Sequence, residues 1–81
     1  MISTVARREV TLREWWEMRR DGWAADGHDP VLLQTVQFAR KMHRHDFPAP
    51  AKMVGRTAVY YLTDLDAWKR DHPGMFRGIP R

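Results

Sequence analysis

No cysteine occurs in the 81 residues. Disulfides, a thiol nucleophile and a thiolate metal site are therefore excluded, and a reducing cytoplasm suits the chain. No apolar run is long enough for a signal peptide in the opening MISTVARREV, or for a membrane span later. Internal repeats, low-complexity tracts and a glycine-rich phosphate loop are also lacking. One absence is local: no Asp or Glu lies between Val31 and His45. What is present is apolar and basic. A hydrophobic fraction of 43%, with four Trp, two Tyr and three Phe, suffices for the thin core of one small domain spanning residues 1–81. Lys and Arg total 14 against 10 Asp and Glu, a net charge of +4, which favours a polyanionic partner such as nucleic acid or an anionic surface.

Along the chain, TVARREV alternates β-branched residues, so residues 1–9 read as an N-terminal arm or a short strand. TLRE forms a capping box, with Thr11 as the cap and Glu14 reaching back, and it predicts a first helix from Leu12 to Asp21 with Gly22 just beyond its end. Asp29 followed by Pro30 reads as an N-cap and first helical residue. A second helix is expected from there to about His45, before Pro48. AKMV and TAVYYL are strand-like and flank Gly55-Arg56, a two-residue hairpin turn with glycine first. Thr63 with Asp66 reads as another cap, opening a third helix that stops at Pro73. The tail from Gly74 to Arg81 is punctuated by glycine and proline and is expected to be loosely held. The order β-α-α-β-β-α is a small α+β fold, a winged helix-turn-helix.

The second helix divides into two arcs at 100° per residue. Val31, Leu32, Thr35, Val36, Phe38, Ala39 and Met42 form the apolar one. Gln34, Gln37, Arg40, Lys41 and Arg44 form the other, interrupted only by Leu33. Solvated helix faces usually mix Glu with Lys, because opposite charges at i,i+4 are mildly stabilising. Here only amides and cations appear. Gln pairs with adenine, Arg with guanine, and both Arg and Lys with phosphate, so this arc is read as a recognition helix for the major groove. Arg56 at the hairpin tip, with Lys52 and Thr57 beside it, is read as a wing that meets the DNA backbone or the adjacent minor groove.

Other features read as structural. His43 and His45, with His28 and His72 further off, do not follow a zinc pattern, so no metal site is expected. Asp64 and Asp66 lie in the first turn of the third helix, where acidic groups suit the dipole, so no acid/base pair is expected and the protein is not read as an enzyme. Trp68 and one of Trp15 and Trp16 are expected in the core. The other of that pair, or Trp23, is left half exposed for protein contact.

DFPAPAKMVGRTAVYYLTDLDAW resembles the C-terminal half of excisionase and AlpA-like proteins, within the MerR-type winged-helix superfamily. The resemblance rests on Phe47, Pro48 and Pro50 ending the recognition helix, Gly55 and Arg56 forming the wing turn, and Asp64, Leu65 and Trp68 opening the closing helix. VTLREWW resembles the family's first helix more loosely, so the likeness spans roughly residues 10–71. RRDGWAADGHDP departs from the tight turn the family has between its first two helices.

The size and the Trp- and Arg-rich composition are similar to those of temperate-phage excisionases, notably from actinobacterial phages such as mycobacteriophages. That resemblance implies a recombination directionality factor in the bacterial cytoplasm. Such a protein binds repeated sites in double-stranded attachment DNA, bends them, and contacts the phage integrase. Neighbouring copies of the chain on DNA, or a homodimer, would be further partners, with no cofactor and no membrane. A small AlpA- or MerR-like transcriptional regulator is the alternative, and a protein-interaction adaptor with a basic face is a third reading.

Overall fold

A capping box starts the first helix as its spacing demands. In the computed structural model, which describes residues 7–81, Thr11 Oγ1 accepts from the Glu14 amide (3.1 Å) and Glu14 Oε1 accepts from the Thr11 amide (2.9 Å). Helix α1 runs over Leu12–Trp23, past the expected stop at Asp21. Gly22 sits inside its last turn because Trp23 still has a packing role: its ring lies 4.6 Å from that of Trp15 and 4.9 Å from that of Phe76.

Strand β1, Glu9–Val10, precedes the helix. The rest of the expected arm, residues 1–6, lies outside the described residues. Strand β2 (His28–Asp29), helix α2 (Leu33–Met42), strands β3 (Lys52–Val54) and β4 (Thr57–Tyr61), helix α3 (Leu62–Asp71) and strand β5 (Ile79–Pro80) complete the chain. Removing β2 and β5 leaves the β-α-α-β-β-α order of a small α+β winged helix.

The hairpin β3–β4 pairs Val54 with Thr57, so Gly55 and Arg56 alone make the turn. Gly55 has φ of +61° and Arg56 does not share a positive φ, which is why glycine comes first. β1 pairs with the other edge of β4, Val10 opposite Tyr60, giving the sheet order β1-β4-β3.

Two expected caps are absent. Asp29 does not start a helix; it pairs with Ile79 in a second ribbon, β2–β5, and its carboxylate accepts from Arg81 Nε (2.9 Å). α2 therefore begins three residues after Pro30, behind Leu32, which makes no side-chain cap. It also stops at Met42, because residues 43–46 turn, with the Phe47 amide on the His43 carbonyl (2.7 Å). At α3 the N-cap position is Tyr61, not Thr63. Thr63 and Asp64 instead accept from Arg7 (3.1 and 2.6 Å), and Asp66 accepts from Trp15 Nε1 (2.9 Å) and Arg19.

The core joins Val10, Leu12, Trp15, Val31, Val36, Ala39, Phe47, Tyr60, Leu65, Trp68 and Phe76. Of the adjacent tryptophans, Trp15 is fully buried. Trp16 is half-buried, donating to the Val31 carbonyl (2.7 Å) beneath the Arg20 guanidinium.

The segment expected to be a loose tail is docked instead. Phe76 is buried against Trp15, Trp23 and Trp68, and the Ala25 amide donates to the Arg77 carbonyl (2.8 Å). Periodicity could not show this, since the docking rests on partners some fifty residues away in sequence.

At Gly78 (φ +101°) a Cβ would run into the Asp29 carbonyl oxygen. Gly78→Ala is therefore expected to cost about 1–3 kcal/mol and to lower Tm by about 4–8 °C for each kcal/mol. A thermal melt by circular dichroism checks it, and an unchanged Tm would show that the ribbon contributes nothing.

Candidate nucleic-acid interface

Val36 and Ala39, one turn apart, are the fully buried residues of α2, and they fix its rotation. The side chains opposite them at i, i+3, i+4 and i+7 are Gln34, Gln37, Phe38 and Lys41, all exposed. The wide apolar arc expected from periodicity is thus narrowed. Leu32, Phe38 and Met42 are 55%, 62% and 65% exposed. A ten-residue helix packed on α1 buries only a narrow stripe, and Phe38 falls outside it, at the edge of the polar arc beside Gln34.

Sheet alternation sorts the wing in the same way. Met53 and Ala58 oppose each other on the face turned toward α2, whereas the pairs Lys52–Val59 and Val54–Thr57 fall on the other face, from which Thr57, next to the turn, still borders the first hollow. Lys52 Nζ accordingly reaches Glu9 Oε1 (3.1 Å) and takes no part in the surface between α2 and the hairpin.

Between α2 and the hairpin lie two adjoining hollows. Gln34, Gln37, Phe38, Arg40, Lys41, Arg56 and Thr57 line the first, with Thr11 and Arg13 of α1's start at its edge. Arg44, His45, Pro48, Pro50, Met53 and Tyr60 line the second, again with Arg40, Lys41 and Arg56. The fold thus brings seven of the eight expected residues to one concave surface, and sets Lys52 apart. Arg13 and Phe38 belong to that surface too. Phe38 was hidden by its match to the apolar period. Arg13 carries no local signal, because its position depends on how α1 meets α2.

Among the described residues, no Asp or Glu lines either hollow. Arg40, Lys41, Arg44 and Arg56 make no ion pair among the described residues, whereas Arg13 shares Glu17 (3.1 Å). Arg40 is steadied by donating to Tyr60 Oη (3.4 Å). The surface offers amide and guanidinium donors, three unpaired cations on the α2 side of a shallow trough and one, Arg56, on the hairpin side, and an exposed aromatic ring. Such a set matches base edges, phosphates and a thymine methyl.

No helix among the described residues is long and apolar enough to cross a membrane. Comparison with protein-family models, with curated proteins and with solved structures finds no match to this chain.

Proposed function

We propose that this chain is a sequence-specific binder of double-stranded DNA that lays α2 in the major groove and sets the Gly55-Arg56 turn on the adjacent backbone or minor groove. The observation that carries the reading is the concave surface between α2 and the hairpin, lined by Arg40, Lys41, Arg44 and Arg56 and, among the described residues, by no carboxylate. Gln34 and Gln37 face outward beside those cations and supply the bidentate amide chemistry that adenine recognition uses.

The likeness of Phe47 to Trp68 to excisionases gives the proposal its specific form. The chain bends attachment-site DNA, with neighbouring copies cooperating on repeats, and directs the phage integrase toward excision. A small monomer makes few contacts, so adjacent copies supply what offsets a bending cost of about 1–6 kcal/mol. A promoter-bound regulator of AlpA or MerR type would use the same surface without any recombinase.

The test is a gel shift on attachment-site duplex, with and without integrase, run across a salt series. Binding is expected to weaken steeply as salt rises, because each neutralised phosphate releases condensed counterions. A joint complex with integrase is expected on the same DNA. Salt-insensitive binding, or none, would overturn the DNA reading. Duplex binding that leaves the integrase reaction unchanged would favour the regulator.

A further inference from the structure

Beyond the hollows, His43, Asp46 and His72 bring three potential metal-ligating side chains together where the turn after α2 meets the end of α3. Asp46 Oδ2 lies 2.9 Å from His72 Nε2, and Asp46 Oδ1 lies 3.6 Å from His43 Nδ1. One donor atom from each of the three lies within 4.8 Å of the others. We propose that these three side chains form a binding site for a first-row divalent metal ion of the zinc type, which clasps the turn after α2 to the C-terminal end of α3.

The geometry is close to what such an ion requires. Zinc binds imidazole nitrogen and carboxylate oxygen at about 2.0–2.2 Å in a tetrahedron, so neighbouring ligand atoms stand about 3.3 Å apart. The contacts to the two oxygens of Asp46, 2.9 and 3.6 Å, bracket that spacing, and the three ligand atoms, all within 4.8 Å of one another, would close by up to about 1.5 Å around the ion.

His72 is also oriented as metal-bound histidines are. Its Nδ1 donates to the Trp68 carbonyl oxygen (2.7 Å), so Nε2 is the nitrogen that faces Asp46; with no ion the 2.9 Å contact is an Nε2–H donating to the carboxylate, and a metal would take the place of that hydrogen. Stacking on the Trp68 indole, 4.3 Å away at 24°, fixes the ring plane. The three side chains are 27–51% exposed, so water can complete the coordination.

Two imidazoles and one carboxylate suit Zn²⁺, Co²⁺ or Ni²⁺ and not Mg²⁺ or Ca²⁺, which take oxygen ligands. His43 and Asp46 approach through the local turn, but His72 comes from the far end of α3, so no sequence spacing announces the set. The site is independent of whether α2 meets DNA.

Chelator-treated, untagged full chain tests it, with thermal melts and calorimetric titration in ZnSO₄ and in MgCl₂. Zinc is expected to bind one ion per chain and to raise Tm by about 10 °C or more at a hundredfold excess over Kd, with magnesium inert. His43→Gln and His72→Gln are each expected to abolish the shift, while His28→Gln, outside the cluster, keeps it. If His72→Gln does not fold, His43→Gln and the visible d–d bands of a Co²⁺-loaded wild type decide. A wild-type response in the His43→Gln variant, a magnesium response equal to that of zinc, or no shift in the wild type would overturn the proposal.

Discussion

Trp15→Ala is expected to leave the domain largely unfolded at 37 °C. Trp15 has no solvent exposure, and its ring meets Trp23 and Phe76 edge-on at 4.6 and 5.8 Å. Its indole Nε1 also holds Asp66, which in turn holds Arg19, so α1 and α3 are joined through one side chain. Truncating a buried tryptophan costs about 3–5 kcal/mol. Small domains begin near the low end of about 5–15 kcal/mol of total stability, so that loss removes most of what there is. Trp16→Ala is the natural comparison, since Trp16 is only half-buried at the margin of the core and its removal is expected to cost less. Circular dichroism melts of both variants check the expectation. A Trp15→Ala melt within a few degrees of wild type would show that the aromatic layer is not the centre of the fold.

Reversing charge at Arg40 and Arg56 together, as Arg40→Glu with Arg56→Glu, is expected to abolish measurable duplex binding at physiological salt. Tm should stay unchanged. These residues border both hollows from opposite sides, one on α2 and one on the wing, and both are exposed. Each base- or phosphate-directed arginine is worth about 1–3 kcal/mol, and a carboxylate in its stead adds repulsion from phosphate. Neutral replacement of both should also flatten the slope of log affinity against log salt by about two. Lys52→Ala supplies the internal contrast: Lys52 is engaged with Glu9 on the other face of the hairpin, so affinity should barely change. Fluorescence anisotropy with labelled duplex measures all three. Near wild-type affinity in the double reversal would remove α2 and the wing from the interface.

The parts of the fold that were legible in sequence are those decided locally. The capping box of Thr11 and Glu14 needs only residues three apart. The wing turn needs only a glycine able to take φ of +61° between two strand-like runs. Asp29-Pro30 shows the opposite case. It carries a good helix-start signal, yet strand pairing with Ile79-Pro80 overrides it. The same non-local docking turned an apparently loose tail into part of the core.

Within the candidate interface, residue type along α2 was readable, but the width of its buried stripe was not. Phe38 and Met42 were therefore assigned inward while the structure leaves them outside. Lys52 stands apart from that surface, its ammonium paired with Glu9 on the other face of the hairpin. Which face of the hairpin a side chain occupies depends on register, and register belongs to the strand pair.

The burial of Phe76 has a consequence for how the protein is made. A nascent chain exposes α1 first, with Trp15 and Trp23 lacking the ring that covers them until the last part of the described sequence has been synthesised. The hairpin and α3 can form in the meantime, but the aromatic layer closes only when that late segment arrives. Such long-separation contacts slow folding and leave apolar surface open during synthesis. The aromatic layer is thus sealed by a segment that emerges after both the helices it covers.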